Sequence, residues 1–246
     1  MIEVNKLTKV YGKKQNKFVA LKNISFNIPN GSTVAIIGKS GSGKSTLMHI
    51  MSGLDRPDEG TVTIGGHTLH KLKKKAMDEF RAKQMGFIFQ AFFVEANQTV
   101  YQNVSLPLEI SGVSFKKRDT LIKEALERVE LTDKINSKAG DLSGGQKQRL
   151  AIARAIVTKP NLIFADEPTG NLDSATGDKI IKLLFELNKS LGSTLIVVTH
   201  DHELAAKCNI IITLKDGAIV SVENSETPKQ KAISSVKRVR KVKAVI

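Results

Sequence analysis

The segment "GKSGSGKST", Gly38–Thr46, fits the pattern G-x-x-x-x-G-K-[ST] of phosphate-binding loops. The apolar run "TVAII" before it is typical of a buried strand, and "STLMHIMSGL", which overlaps its end, is typical of a helix. The apolar residues of that predicted helix share one face: Leu47, Ile50, Met51 and Leu54. Because the motif requires a strand before it and a helix after it, the sequence predicts an α/β fold with a phosphate site at the turn.

The residue types in this loop suit a polyphosphate. Glycines permit backbone angles that turn successive N–H groups toward phosphate oxygens, and the positive end of the following helix adds to the attraction. We expect Lys44 to reach the outer phosphates and the Ser45 hydroxyl to bind Mg²⁺. The other predicted contacts in the loop are Gly38, Ser40, Gly41, Ser42, Gly43 and Thr46. A Gly/Ser-rich turn with an incidental lysine is the alternative, and the flanking strand and helix argue against it.

Further apolar runs predict a parallel sheet around this loop. "GFIFQ" ends at Gln90, "NLIFAD" at Asp166 and "STLIVVTH" at His200, and nearly continuous apolar runs are typical of strands buried on both faces. Helical patterns alternate with them, which indicates an α/β sandwich. "ISFNIPNG" and "VTIGG" indicate an antiparallel patch, and "IIITLKDGAIVSV" predicts a hairpin that turns at Asp216 and Gly217.

The middle of the chain has a different pattern. Residues 92–159 contain no convincing buried strand, and "FKKRDTLIKEALERVE" places its apolar residues on one helical face. We therefore predict a single domain over residues 1–224. Its core comprises about 1–91 and 160–224, and its helical lobe comprises about 92–159.

The composition limits the classes of protein to which the chain can belong. Its 246 residues include one cysteine, Cys208, which excludes an internal disulfide and fits a reducing compartment. No apolar run is long enough to span a bilayer, and no secretory signal is recognisable. We therefore expect a cytoplasmic location. The net charge of +14 favours anionic partners, namely nucleotides, acidic lipids or nucleic acid.

The basic residues are concentrated at the end of the chain. Residues 225–246 contain seven Lys or Arg and one Glu. We predict that this segment is a disordered, solvated extension. Contact with anionic lipids is the second interpretation, and contact with nucleic acid is the third.

Two adjacent carboxylates follow the apolar run "NLIFA". Asp166, at the carboxyl end of a predicted strand, is placed to hold Mg²⁺ or its water opposite Ser45. Glu167 can then accept a proton from an attacking water. The alternative is a pair of acids that ends a strand before a helix, and the phosphate loop in the same chain argues against it.

Three further side chains are candidates for the same site. Gln90 ends one strand, and its amide oxygen can bind Mg²⁺ or a water, while the His200 imidazole ends another and can sense a γ-phosphate. Tyr11 precedes the phosphate loop and can stack on a purine. A surface histidine that opens a helix, and ordinary packing of a half-buried tyrosine, are the alternatives for His200 and Tyr11.

A second glycine-rich turn, "LSGGQ", starts at Leu142. Its candidate anion-binding residues are Ser143, Gly144, Gly145 and Gln146, at the predicted start of a helix. It lacks the Lys-Ser ending of Gly38–Thr46, and no buried strand precedes it, so it is not a second complete site. We predict that two chains face each other head to tail, so that each "LSGGQ" turn covers the nucleotide of its neighbour.

In this order and spacing, "GKSGSGKST", Gln90, "LSGGQKQR", "FADEPTGNLDS" and His200 resemble the ATPase subunits of ABC transporters over nearly the whole chain. "MGFIFQ" and "ADEPTGNLDSATG" are similar to the branch that serves lipoprotein release and macrolide-type export. The resemblance implies a P-loop NTPase fold with a RecA-like core and a helical lobe, ATP and Mg²⁺ as ligands, and an ATP-dependent homodimer. It also implies a separate integral membrane permease, with this chain peripheral on the inner face of the cell membrane.

The same resemblance assigns roles to individual residues. It implies that Tyr11 stacks on adenine, that Gln90 couples the site to the permease and that His200 acts as a switch. It implies that the loop Asn171–Asp173 passes between the two sites of a dimer, and that the segment after Gln90 faces the permease. A soluble ABC ATPase that acts on ribosomes or nucleic acid is the alternative, although we expect no specific nucleic-acid partner. A small-molecule kinase would leave "LSGGQ" unexplained.

Overall fold

The computed structural model of this chain describes residues 1–12 and 16–224, so the predicted basic extension, 225–246, lies outside the described residues. Its strands are β1 Ile2–Tyr11, β2 Phe18–Ile28, β3 Thr33–Ile37, β4 Glu59–Ile64, β5 His67–Thr68, β6 Met85–Phe89, β7 Leu162–Asp166, β8 Thr194–Val198, β9 Ile210–Lys215 and β10 Ala218–Asn224. Its helices are α1 Lys44–Met51, α2 Lys74–Gln84, α3 Val100–Ile110, α4 Phe115–Arg128, α5 Gly144–Ile156, α6 Ser174–Leu191 and α7 His202–Ala206.

The strands form two sheets. The larger has the order β10-β9-β3-β8-β7-β6, in which only the β9–β10 hairpin is antiparallel. The smaller, β2-β1-β4-β5, is wholly antiparallel. The predicted parallel core, antiparallel patch and terminal hairpin are therefore confirmed, as is the mixed α/β fold class. β3 and β8 are buried along their whole length, which explains their unbroken apolar sequence.

The order of the strands creates the site. The neighbours β3, β8, β7 and β6 run parallel, so all four end at the same edge of the sheet. The chain leaves β3 into Gly38–Thr46, β7 ends at Asp166, and Gln90 and His200 follow β6 and β8. Residues distant in the sequence are thus collected at the carboxyl edge, where open parallel sheets bind ligands.

Two clusters of buried side chains flank the large sheet. One lies between the two sheets and contains α1, with Leu47 and Phe164 among its fully buried members. The other joins the opposite face of the sheet to α3–α6, and it contains Ile163 of β7 together with Leu126 of α4. The predicted helical lobe therefore shares a continuous apolar cluster with the sheet.

Helix α5 approaches the edge strand β6 without an intervening side chain. A Cβ added to Gly86 would lie 2.2 Å from the carbonyl oxygen of Ala155. Only glycine permits this approach without displacing the helix or the strand. The backbone of α5 therefore lies directly against that of β6.

One sequence prediction within this fold is wrong. The helix after the phosphate loop ends at Met51, and the side chain of Leu54 is outside it and 50% exposed. The physical reason is Gly53, whose φ of +68° reverses the chain, while the Leu54 N–H donates to the His49 carbonyl at 2.8 Å. Leu54 therefore does not belong to the buried face that its spacing predicted.

Three elements were not predicted from the sequence. Strands β1 and β5 were missed, the latter because it is only two residues long. The pairing of β1 shifts register at several points, with Lys6 at a φ of +48°, so its buried residues do not alternate strictly. Helix α2 was missed because Met77 is its only buried residue and lysines dominate its first turn.

Candidate nucleotide-binding site

The loop Gly38–Thr46 has the backbone that a phosphate cradle requires. Gly41 and Gly43 have φ angles of +77° and +102°, which disfavour residues with a Cβ. A Cβ on Gly43 would also lie 2.7 Å from the Ala20 carbonyl oxygen. Helix α1 starts at Lys44, so its amino-terminal N–H groups open into the loop.

Two side chains in the loop point to an anionic ligand. The Lys44 ammonium donates to the carbonyls of Gly38 at 2.8 Å and Lys39 at 3.1 Å, so it lies across the cradle rather than in solvent. The buried Ser42 hydroxyl has no hydrogen-bond partner. An orphaned buried hydroxyl beside a lysine fits a site whose remaining hydrogen-bond partners are phosphate oxygens.

Asp166 at the end of β7 faces the same loop. Burial raises the pKa of Asp166, and the nearby Glu167 carboxylate raises it further, while His49 and Lys44 oppose both effects. The charge of Lys44 therefore acts on the Asp166 carboxyl, which places both on the same side of the sheet edge. His49, one turn along α1, is a neighbour of the site that the sequence analysis missed.

Glu167 is held in an unusual conformation. Its φ is +46°, in the left-handed region that residues other than glycine rarely adopt, and its N–H donates to the Val198 carbonyl of β8 at 2.9 Å. Its carboxylate lies 2.9 Å from His200 Nδ1 and accepts from the Thr199 hydroxyl at 3.4 Å. Strained conformations of this kind cluster at functional sites. The structure thus joins Glu167 and His200, which the sequence analysis had treated separately.

Gln90 contacts the segment that follows the two carboxylates. The Asn171 amide donates to the Gln90 carbonyl at 2.9 Å, and the Gln90 amide lies 3.5 Å from Asn171 Oδ1. A Cβ on Gly170 would lie 2.6 Å from Gln90 Nε2. The end of β6 and the loop after Glu167 are therefore in direct contact.

The donors collected here fit Mg²⁺ bound together with phosphates. Ser45, Gln90 and Asp166 supply hydroxyl, amide and carboxylate oxygens, the ligand types that Mg²⁺ prefers. Within residues 1–12 and 16–224, no group of three or more His, Cys, Asp or Glu is arranged to hold a metal.

Tyr11 is fixed by two residues that the sequence analysis did not identify. Its hydroxyl donates to Asp55 at 2.7 Å, and burial followed by this hydrogen bond raises the Tyr11 pKa. The Lys9 ammonium binds Asp55 at 2.8 Å and lies 5.0 Å from the centre of the Tyr11 ring. The side chain of Thr46, in the phosphate loop, partly opposes this rise in the Tyr11 pKa, so it lies near the Tyr11 hydroxyl. The ring therefore lies beside the loop, 40% exposed, in an orientation that would suit a base platform.

The "LSGGQ" turn lines a separate cleft of about 500 Å³. Ser143, Gly144, Gly145 and Gln146 form one wall, and Asn171–Asp173 forms the opposite one. None of the described residues that line this cleft belongs to Gly38–Thr46. Within one chain, the "LSGGQ" turn therefore lines a cleft to which the phosphate loop does not contribute.

One expectation for this turn needs correction. Ser143 and Gln146 form a capping box at the start of α5: the Gln146 N–H donates to the Ser143 hydroxyl, and the Ser143 N–H donates to the Gln146 side chain. The N–H groups of Ser143 and Gln146 are therefore occupied by the helix cap. The Ser143 hydroxyl hydrogen and the N–H groups of Gly144 and Gly145 remain as candidate donors to an anion.

A further buried contact was invisible in the sequence. The Gln148 amide, fully buried on α5, donates to the Pro168 carbonyl at 2.5 Å. Pro168 directly follows Glu167, so α5 is fixed to the loop that carries the carboxylates. A polar residue at a buried helical position is the only signal in the sequence, and that signal does not specify the partner.

Asp166→Asn is expected to raise the thermal unfolding midpoint of the nucleotide-free protein at pH 7 by a few degrees, because it removes a half-buried charge beside Glu167. At a pH below about 3.9, the pKa of an aspartate in the unfolded chain, the Asp166 carboxyl is protonated and does not destabilise the fold. As the pH rises through the raised pKa of the folded state, the carboxyl ionises and this stability is lost. The advantage of the variant should therefore shrink toward pH 4, as calorimetry at both pH values would show.

The control for this measurement is Asp173→Asn. A hydrogen bond from Thr176 lowers the pKa of the exposed Asp173 carboxylate, which caps α6, so its replacement should give no gain at pH 7. A lower midpoint for Asp166→Asn than for the wild type would contradict the interpretation.

Known proteins similar to this chain in sequence and structure bind nucleotides, as the phosphate loop described above would lead one to expect. The family model described as ABC transporter matches residues 21–170. LolD, the lipoprotein-releasing system ATP-binding protein of Geobacter metallireducens, is 42% identical over 221 residues, which are 90% of this chain and 98% of LolD.

Two solved structures are similar over most of the chain. The dimeric structure of MJ0796, a bacterial ABC transporter cassette, has a TM-score of 0.84 and 42% identity, covering 92% of this chain and 100% of that one. A dimeric post-hydrolysis state of MJ0796 bound to ADP and Pi has the same TM-score and coverage at 41% identity. By its matched family model and by these similarities, the chain belongs to the ABC transporter family, as an ATP-binding cassette that hydrolyses ATP.

Proposed function

We propose that two copies of this chain enclose Mg-ATP, with the phosphate loop of one copy facing the "LSGGQ" turn of the other. The observation that carries the proposal is that the cleft lined by the "LSGGQ" turn includes no residue of the phosphate loop of the same chain. Both carry donors that suit phosphate, so a second copy related by a two-fold axis would complete two equivalent sites through one interface. The dimeric structures of MJ0796 support the pairing of two such cassettes.

Each residue of the site then has a part in ATP hydrolysis. Lys44 neutralises charge on the outer phosphates, and Tyr11 stacks on adenine. Glu167 accepts a proton from the attacking water, and His200 holds the Glu167 carboxylate from one side. Mg²⁺, held by Ser45, Asp166 and Gln90, would polarise the phosphate oxygens when bound. The donors left free at Ser143 and Gly145 would complete the site from the other copy.

The partner that receives the motion is proposed to be an integral membrane permease. The surface carries an apolar groove of about 490 Å³ between β6 and α3, which ends beside Gln90. Leu106 and Ile110 on its rim are 41% and 68% exposed, and Phe93 and Phe115 on the same lobe are 63% and 78% exposed. Exposed apolar side chains in such number mark an interaction surface.

No helix among the described residues is long and apolar enough to cross a membrane. We propose that the chain lies on the cytoplasmic face of the membrane, bound to the permease through this groove. Because LolD belongs to a lipoprotein-releasing system, extraction or export of a substrate from the membrane is the type of transport that we favour.

The proposal is tested by purification in mild detergent with a tag on this chain. Recovery of a polytopic membrane protein is expected. Recovery of ribosomes or nucleic acid instead would favour a soluble ABC ATPase and overturn the transport assignment.

Ile110→Asp is expected to reduce recovery of the membrane protein at least about tenfold, because it places a charge in an apolar interface. The affinity of the purified variant for ATP should stay within twofold of the wild-type value, since Ile110 is the last residue of α3 and takes no part in the phosphate loop. Val220→Asp on β10 is the matched control, because Val220 is 58% exposed but lies outside the groove. Equal losses for the two variants would remove the groove as the docking surface.

A further inference from the structure

The segment after Gln90 has a strained backbone. Phe92 and Phe93 have φ angles of +57° and +47°, and they are the only two consecutive non-glycine residues with positive φ among residues 1–12 and 16–224. Large side chains disfavour this region, so two in succession require outside support. The Phe93 ring contributes an edge-to-face contact with Phe89, with centres 5.3 Å apart, but this contact does not hold the main chain.

The support comes from Arg154 on α5. Its Nη1 donates to the Phe93 carbonyl at 2.5 Å, and its Nη2 donates to the Phe92 carbonyl at 3.0 Å. Arg154 is half-buried, and this burial lowers its pKa, an effect that the nearby Glu95 partly offsets. A guanidinium that binds two adjacent carbonyls makes charge-assisted hydrogen bonds, which a lysine cannot reproduce with the same geometry.

The two ends of the segment are also fixed. At one end, the Asn171 amide donates to the Gln90 carbonyl at 2.9 Å. At the other end, the buried Asn103 accepts from the Glu95 N–H at 2.8 Å and donates to the Glu95 carbonyl at 3.1 Å. Between these anchors, Arg154 is the side chain that holds the strained carbonyls. Its loss would let residues 91–94 relax and would move Gln90.

Arg154 also contacts the apolar groove. Its side chain lines the groove together with Phe89, Leu106 and Ile110. A segment that enters the groove would therefore touch the residue that fixes the loop beside Gln90. Arg154 is therefore the α5 side chain that both lines the groove and donates to the carbonyls of this segment.

We propose that Arg154 is a positioning residue for ATP hydrolysis, which holds Phe92 and Phe93 in the left-handed conformation and thereby places Gln90 in the site. The inference rests on the proposed role of Gln90. Arg154 itself touches neither the phosphate loop nor the two carboxylates. It acts through the main chain of residues 91–93, and it connects α5 and the groove to the site.

The test is a double-mutant cycle with Arg154→Lys and Gln90→Ala. Arg154→Lys is expected to lower kcat about tenfold, the effect of losing one charge-assisted hydrogen bond, with KM for ATP within twofold. If Arg154 acts through Gln90, the double variant should be no slower than Gln90→Ala alone. Amide hydrogen exchange should rise in residues 91–98 and stay unchanged in α6.

Arg118→Lys is the matched control. Arg118 also donates to a loop carbonyl, that of Val113 at 2.9 Å, and its side chain is only 20% exposed, but it lies away from Gln90. It should leave kcat unchanged. Phe92→Asn should restore part of the kcat lost in the Arg154→Lys background, because asparagine tolerates positive φ.

Contrary results are distinguishable. Additive losses in the double variant, unchanged exchange in residues 91–98, or no recovery with Phe92→Asn would overturn the role of Arg154 alone. A Gln90→Ala variant with wild-type kcat would overturn the proposed role of Gln90 and the inference with it.

Discussion

Glu167→Gln is expected to bind ATP with wild-type affinity and to lose turnover by about 10²–10⁴-fold, the usual contribution of a general base. Glutamine preserves the shape of the side chain and can still contact His200 and Thr199, which lie 2.9 Å and 3.4 Å from the Glu167 carboxylate. It cannot accept the proton of the attacking water as a carboxylate does. Steady-state phosphate release and equilibrium binding of ATP would measure the two effects separately.

The same variant should accumulate a dimer in ATP, because the closed state would no longer be released by hydrolysis. Light scattering after size exclusion would detect the doubled mass with ATP and its absence without nucleotide. Glu203→Gln is the control, since Glu203 lies in the first turn of α7 near the same edge of the sheet and has no part in the proposed chemistry. Wild-type turnover in Glu167→Gln would remove Glu167 from the role of base.

Mixing two inactive variants, Lys44→Ala and Ser143→Asp, is expected to restore ATPase activity. The first lacks the phosphate-binding lysine, and the second places a negative charge where a neighbour's triphosphate would lie. Each alone should be nearly inactive. In random pairing, half of the dimers are mixed and each carries one intact composite site, so about a quarter of all sites should work.

The choice of aspartate at residue 143 separates binding from folding. Aspartate caps a helix as well as serine does, so α5 should keep its amino terminus. Thr99→Asp provides the control: Thr99 and Gln102 form the same capping box at the start of α3, away from the proposed interface. That variant should retain activity. If the mixture stays as inactive as its components while Thr99→Asp is active, the sites are not shared between copies.

Much of the fold could be predicted because its strongest signals are local. The phosphate loop lies between a strand and a helix, and strands such as β3 and β8 are buried on both faces, so their sequences are apolar throughout. The prediction failed where a tertiary or backbone effect overrides the pattern. Gly53 ends α1 before Leu54, and the register shifts of β1 conceal its alternation.

The residues of the candidate site also fall into two groups: those that a local motif predicts and those that only the folded chain brings together. Residues that chemistry restricts to a few types, such as Lys44, Asp166 and Glu167, could be named from their motifs. Their supports could not, because Asp55 beside Tyr11 and Arg154 beside Phe92 are joined only by the folded chain. A buried polar residue in a helix shows that a partner exists, but only the structure identifies which carbonyl or carboxylate it is.

The bare contact between Gly86 and Ala155 has a mechanical consequence. Because Gly86 has no side chain, the helix that starts at the "LSGGQ" turn and the outermost strand of the sheet meet backbone to backbone at this point. Rotamer changes therefore cannot absorb a displacement of the helix relative to the strand at this contact. In the proposed complex, a displacement imposed on the strand would therefore move the helix, and with it the turn that is proposed to face the neighbouring copy.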